Sequence, residues 1–176
     1  MNELAKQTNE LQMISTADAD QLNAFQKELG KTPDKRHWKQ NQFANNSNYL
    51  EIGFLEMMLD RKYFGLWSLK VDEVAPLVNA VRVTVTLSVF HPVAKCWIHR
   101  SGIAAKEFQL KAGVRDPLPE NLSAKALERD VPIAKAEAFK NAVKSLGNTF
   151  GRSLNRKFDS DFVPDDGLIN RILPKI

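Results

Sequence analysis

The sequence predicts an α+β fold, a three-stranded antiparallel β-meander packed against a long C-terminal helix, with further helices on its N-terminal side. Three observations lead there. Val81, Val83, Val85, Leu87 and Val89 alternate with Arg82, Thr84, Thr86 and Ser88, the period of two of a half-buried strand. Ala136, Phe139, Val143, Leu146, Phe150 and Leu154 recur at spacings of three and four, the apolar stripe of an amphipathic helix. Two shorter stretches upstream carry the same helical spacing.

Residues 1–15 are polar without a clear apolar period and read as a mobile arm ahead of a core domain over 16–158. The first helix is expected over 18–29. Asp18 and Gln21 form its capping pair, Leu22, Phe25 and Leu29 share a face, and Gly30 stops it. The following "KTPDKRHWKQNQFANNSN" has no apolar period and reads as a loop. A second helix is expected over 49–62, with Asn48 and Glu51 as its cap and Leu50, Phe54, Met57, Met58 and Arg61 at helical spacing. Leu66–Asp72 then reads as a first strand, "VAPL" as a turn, 81–89 as the central strand, "HPVAK" as a hairpin and "CWIHRSGIAA" as the third strand. The polar alternate positions of the central strand leave one sheet face wet or against a partner.

Residues 105–122 read as a loop. The long helix is expected over 132–156, opened by Pro132 in its first turn. Gly147 and Gly151 each cost it about 1 kcal/mol, which implies a compensating close backbone approach. Residues 159–176 read as an acidic linker, with Asp159, Asp161, Asp165 and Asp166, followed by the short apolar tail "LINRILPKI".

Composition narrows the class. The chain has 176 residues, 43% of them hydrophobic and 26% charged, as expected of one globular domain. It carries no apolar run near the ~18 residues of a membrane span and no signal-peptide pattern at its start. Its single cysteine, Cys96, excludes an internal disulfide and fits a reducing cytoplasm. The net charge of +4 is unevenly placed, with −3 in residues 1–30 and +7 in the remainder, a balance that draws polyanions.

Most familiar chemistry is excluded. "GKT" at Gly30–Thr32 lacks the phosphate-loop glycine, since Phe25 stands five positions before Gly30. His37, His91 and His99 are scattered and have one cysteine to help them, which argues against zinc. The four aspartates lack the glycine and glutamate of a calcium loop. With no nucleophile elbow, dinucleotide fingerprint or HExxH string, no enzyme, cofactor, metal or small-molecule substrate is expected.

Two basic features remain. Lys140, Lys144, Asn148 and Arg152 would form one polar stripe on the long helix, about 18 Å from end to end. It would track the phosphates of an extended strand or form a plain solvated face. Lys35, Arg36, His37 and Lys39 surround Trp38 in the basic loop. Cations for phosphates beside an aromatic for bases suit single-stranded nucleic acid; the alternative is a solvated loop with Trp38 in the core.

The layout resembles the Rad-fifty-two-type single-strand annealing proteins, in particular their short phage and prophage forms. The resemblance rests on "AEAFKNAVKSLGNTFGRSLNRKF", on "NYLEIGFLEMMLDRKYFGLWSLKV" and, more loosely, on "QLNAFQKELGKTP", within residues 20–158. It implies closed rings of about ten or eleven subunits with single-stranded DNA in an outer basic groove. It implies a groove floor formed by Lys39 or Arg36 with Lys140 and Lys144, and Tyr49 as the aromatic beside them. Lys95 near the hairpin tip and Lys125 before the long helix correspond to a second, outer DNA site. Two departures stand out: "QNQFANNSN" replaces a glycine-rich run, and Asn141 replaces a second adjacent cation. The implied function is ATP-independent annealing of complementary strands in recombination and repair. The competing readings are a duplex-binding module for RNA or DNA without annealing activity, and a structural oligomer whose basic stripe meets acidic partners.

Overall fold

The computed structural model describes residues 16–42, 45–116 and 118–156; the arm over 1–15, the acidic aspartates and the apolar tail lie outside the described residues. Its elements are α1 (Thr16–Gly30), β1 (Trp38–Asn41), β2 (Ser47–Leu50), α2 (Ile52–Tyr63), β3 (Trp67–Pro76), β4 (Ala80–Phe90), β5 (Trp97–Glu107) and α3 (Ala126–Lys144). Short 3-10 turns occupy Lys35–His37, Pro119–Asn121 and Asn148–Phe150. The α+β class and the β3-β4-β5 antiparallel meander agree with the sequence reading. No helix among the described residues is long and apolar enough to cross a membrane.

The alternation in β4 does what its period requires. Val81, Val83, Val85, Leu87 and Val89 are buried under α3, where each contributes about 1.5–3 kcal/mol. Arg82, Thr86 and Ser88 point to the other face and bond across strands to Glu73 (2.8 Å), Asp72 (2.6 Å) and His99 (2.8 Å). The outer face is thus polar and cross-linked.

α3 lies over β4 and β5, and Gly102 of β5 sets how closely. A Cβ there would stand 2.0 Å from the Ala138 carbonyl oxygen and 2.7 Å from the Ala142 nitrogen. Only glycine admits that approach. α3 packs on β4 and β5 and covers β3 little, and a bulge between Val71 and Glu73 interrupts the β3 register. Val71 and Val74 stay exposed, as do Leu77 and Val78 at the turn.

Several expectations need correction. β3 continues through Val74, Ala75 and Pro76, where "VAPL" is expected to turn, and α1 begins at Thr16, so Asp18 lies within its first turn and is not its cap. The basic stretch expected as a loop holds a β1–β2 hairpin, pairing Trp38 with Leu50 and Lys39 with Tyr49. Its turn uses Asn45 and Asn46 at φ 51° and 54°, a left-handed conformation that asparagine tolerates. The second helix therefore starts at Ile52, not 49; Asn48 belongs to β2, and Glu51 stands at the N-cap without a side-chain bond.

The long helix is also displaced. It begins at Ala126, six residues before Pro132, because Ala126 and Asp130 are buried and the Asp130 carboxylate accepts the Gln109 amide at 2.8 Å. Pro132 is consequently interior. The helix ends at Lys144 because Gly147 passes against α1, where a Cβ would lie 2.5 Å from the Leu29 carbonyl oxygen. Leu146 and Phe150 keep their core places from the turns beyond. Thr149 fastens that junction by donating to the Glu28 and Lys31 carbonyls at the end of α1.

Candidate nucleic-acid interface

The hairpin and the C-terminal half of α3 enclose a groove of about 610 Å³. Its hairpin wall comprises Gln40, Asn41, Gln42, Ser47, Asn48 and Tyr49; its helix wall comprises Glu137, Lys140 and Lys144, and Asn155 joins them. Asn155 fixes the hairpin in place through a reciprocal pair: the Asn48 amide donates to its Oδ1, and its Nδ2 donates to the Asn48 carbonyl, both at 2.7 Å. The groove therefore has a rigid mouth assembled from segments 107 residues apart.

Lys140 lies over the Tyr49 ring, its Nζ 5.1 Å from the ring centre, within cation–π range. It also pairs with Glu137 at 2.7 Å, and its side chain is only 13% exposed. Lys39 stands directly opposite Tyr49 in the hairpin register and so shares its face. Lys144 follows Lys140 by one turn, about 6 Å along the axis. It ends the helix, where a cation is favoured. Tyr49, Lys140 and Lys144, three of the expected site residues, thus line one groove, with Glu137 offsetting one charge, and Lys39 is the cross-strand neighbour of Tyr49. The sequence pattern gave no reason to single out Glu137 or Asn155. The amide-rich "QNQFANNSN" was the available signal for the groove's uncharged lining.

The other expected residues lie elsewhere. The four-residue stripe does not exist, because the helix stops at Lys144. Asn148 is buried beyond it, facing a separate pocket. Arg152 turns back to cap the helix, its Nε donating to the Lys144 carbonyl at 3.2 Å and its Nη2 to the Ser145 carbonyl. The polar stripe accordingly shrinks from about 18 Å to about 6 Å. Lys35 and Arg36 are exposed on the 3-10 turn before β1, outside the groove lining, with Arg36 paired to Asp34 at 3.6 Å. Trp38 is no stacking platform: it packs on the core, and its Nε1 donates to the Pro33 carbonyl at 3.0 Å.

Lys95 sits exposed at the β4–β5 turn with φ 52°, and Lys125 is exposed at the N-cap of α3. α3 runs antiparallel to β5, since Ala142 meets Gly102 while Asp130 meets Gln109. The two lysines therefore stand at opposite ends of a 19-residue helix about 28 Å long, and one protomer does not bring them together.

No protein-family model matches the chain, and a search of curated proteins returned no match.

Proposed function

We propose that this chain is a single-strand annealing protein of the Rad-fifty-two type, which binds single-stranded DNA in the hairpin–helix groove and pairs complementary strands without ATP. The observation that carries the proposal is the convergence of Tyr49, Lys140 and Lys144 on one groove from segments far apart in sequence, with Lys39 beside Tyr49 in the hairpin. Cations neutralise phosphates with counterion release, and a partly exposed aromatic offers a base a stacking surface. Pairing complementary strands is downhill, so the protein need only lower their repulsion and hold them extended. No nucleotide is consumed, and neither cofactor nor metal enters the scheme.

One protomer offers few cations, so useful affinity requires several copies in a row, where avidity multiplies weak contacts. Self-assembly into a ring or helical filament is part of the proposal. It is supported by the two edges of the three-stranded sheet, which pair with no further strand among the described residues, and by the apolar strip of Val71, Val74, Leu77 and Val78, the last 96% exposed. Such a surface invites a second copy. The setting proposed is the cytoplasm, in recombination and repair.

The test is binding of one oligonucleotide in single-stranded and duplex form, by anisotropy, alongside the mass of the free protein by light scattering. The proposal expects single-strand preference by an oligomer. Duplex preference by a monomer would replace it with the duplex-binding reading.

A further inference from the structure

A second pocket, of about 140 Å³, opens where α1, the end of α2, the β4–β5 turn and the chain after α3 meet. Its lining holds polar groups without partners among the described residues. Tyr63 and His91 are 98% and 96% buried, and Phe25 meets both rings edge-on, with centres 5.8 and 4.8 Å away. His91 Nδ1 accepts the Val93 and Ala94 amides at 3.3 and 3.0 Å, which places the proton of the neutral ring on Nε2. Among the described residues no group bonds to that Nε2, to the Tyr63 hydroxyl or to the Asn148 side-chain amide, and Asn148 is 92% buried. Tyr63, His91 and Asn148 all line the pocket.

Charge selects the guest. Among the described residues no carboxylate lines the pocket, whereas Arg100 and Arg152 do. Arg152 is occupied in capping α3 and so masks the negative helix end beside the pocket. Arg100 is exposed, and among the described residues its side chain bonds only from Nη1 to the His99 carbonyl, at 3.2 Å. Burial pushes the Tyr63 hydroxyl up to about 12, with Arg100 opposing, so it stays a donor. Four donor types surround a space too small for the 300–1,000 Å³ of an ordinary organic ligand.

We propose that this pocket binds a single small oxyanion, a phosphate or carboxylate group, held by Arg100, Tyr63, His91 and Asn148. It is separate from the hairpin–helix groove and does not depend on the annealing function. Buried donors without partners cost free energy, and an oxyanion satisfies several of them at once.

The test is thermal unfolding of the full chain with increasing inorganic phosphate and, separately, acetate, each against sodium chloride of equal ionic strength. The expected result is a saturating rise in Tm with at least one of the two anions. The Arg100→Gln variant, at an exposed position, should need about tenfold more anion for half the effect. Response to phosphate alone assigns a phosphate group, and response to acetate alone a carboxylate. A rise that never saturates, or one that Arg100→Gln leaves unchanged, is the general effect of excluded salts and overturns the proposal.

Discussion

Removing the two lysines that line the groove, with Lys39 left beside Tyr49, has a consequence that can be worked out in advance. The Lys140→Ala, Lys144→Ala double variant leaves Lys39, the cross-strand neighbour of Tyr49, as the nearest expected cation. For single strands the logarithm of affinity falls with the logarithm of salt at about −0.7 per neutralised phosphate. Three cations give about −2.1 per protomer, or about −1.4 if Glu137 fully offsets Lys140. The double variant retains about −0.7 at most. Between about 50 and 200 mM salt the native groove loses about 7- to 20-fold in affinity, and the variant about threefold. Adjoining protomers multiply all these slopes alike, so the ratio is the safe readout. The assay is anisotropy of a labelled single strand over a salt series, and the variant's slope should be half the native slope or less. An equal slope would remove α3 from the DNA path and refute the reasoning. Glu137→Gln should do the opposite, steepening the slope by freeing Lys140.

Four further outcomes are expected. Phe139→Ala removes a buried ring that packs 6.2 Å from Trp67, and should cost about 3–5 kcal/mol in chemical denaturation. Gly102→Ala drives a methyl into the α3 backbone and should cost at least about 1–3 kcal/mol, unlike Gly53→Ala, where a Cβ meets nothing within 4 Å. Arg152→Gln should lower stability by about 1 kcal/mol through the lost helix cap and leave the salt slope of DNA binding unchanged. Burial lowers the His91 pKa below 6.5, so on acidification the unfolded chain takes up the proton first. Its contribution is intact above pH 6.5 and declines as pH falls below that value, through the folded pKa. Denaturation midpoints at pH 7.5 and 5.5 should therefore separate more in the native chain than in His91→Asn.

Long-range packing decided which parts of the fold were legible in the sequence. β4 was fully legible because one face is buried along its whole length, so its period of two is unbroken. The α3 stripe was legible as apolar spacing but not as helix. Leu146, Phe150 and Leu154 keep that spacing because turns after Lys144 return them to the same core. The helix break comes from Leu29, more than a hundred residues earlier, pressing on Gly147. The β1–β2 hairpin was hidden because "WKQN" and "SNYL" bury only their base, Trp38 and Leu50, and show no alternation. Its paired asparagines, Asn45 and Asn46, were a turn signal in plain sight. Of the candidate site, Tyr49, Lys140 and Lys144 could be placed from the resemblance. Asn148 and Arg152 could not, because their roles depend on where the helix ends.

The central claim is that the groove serves annealing rather than mere binding. The measurement that meets it most directly is the rate at which two complementary fluorescent oligonucleotides pair when a small amount of protein is added, with and without ATP. The account predicts annealing well above the spontaneous rate, unaffected by ATP and lost in the Lys140→Ala, Lys144→Ala variant. Tight single-strand binding with pairing no faster than the spontaneous rate would contradict it.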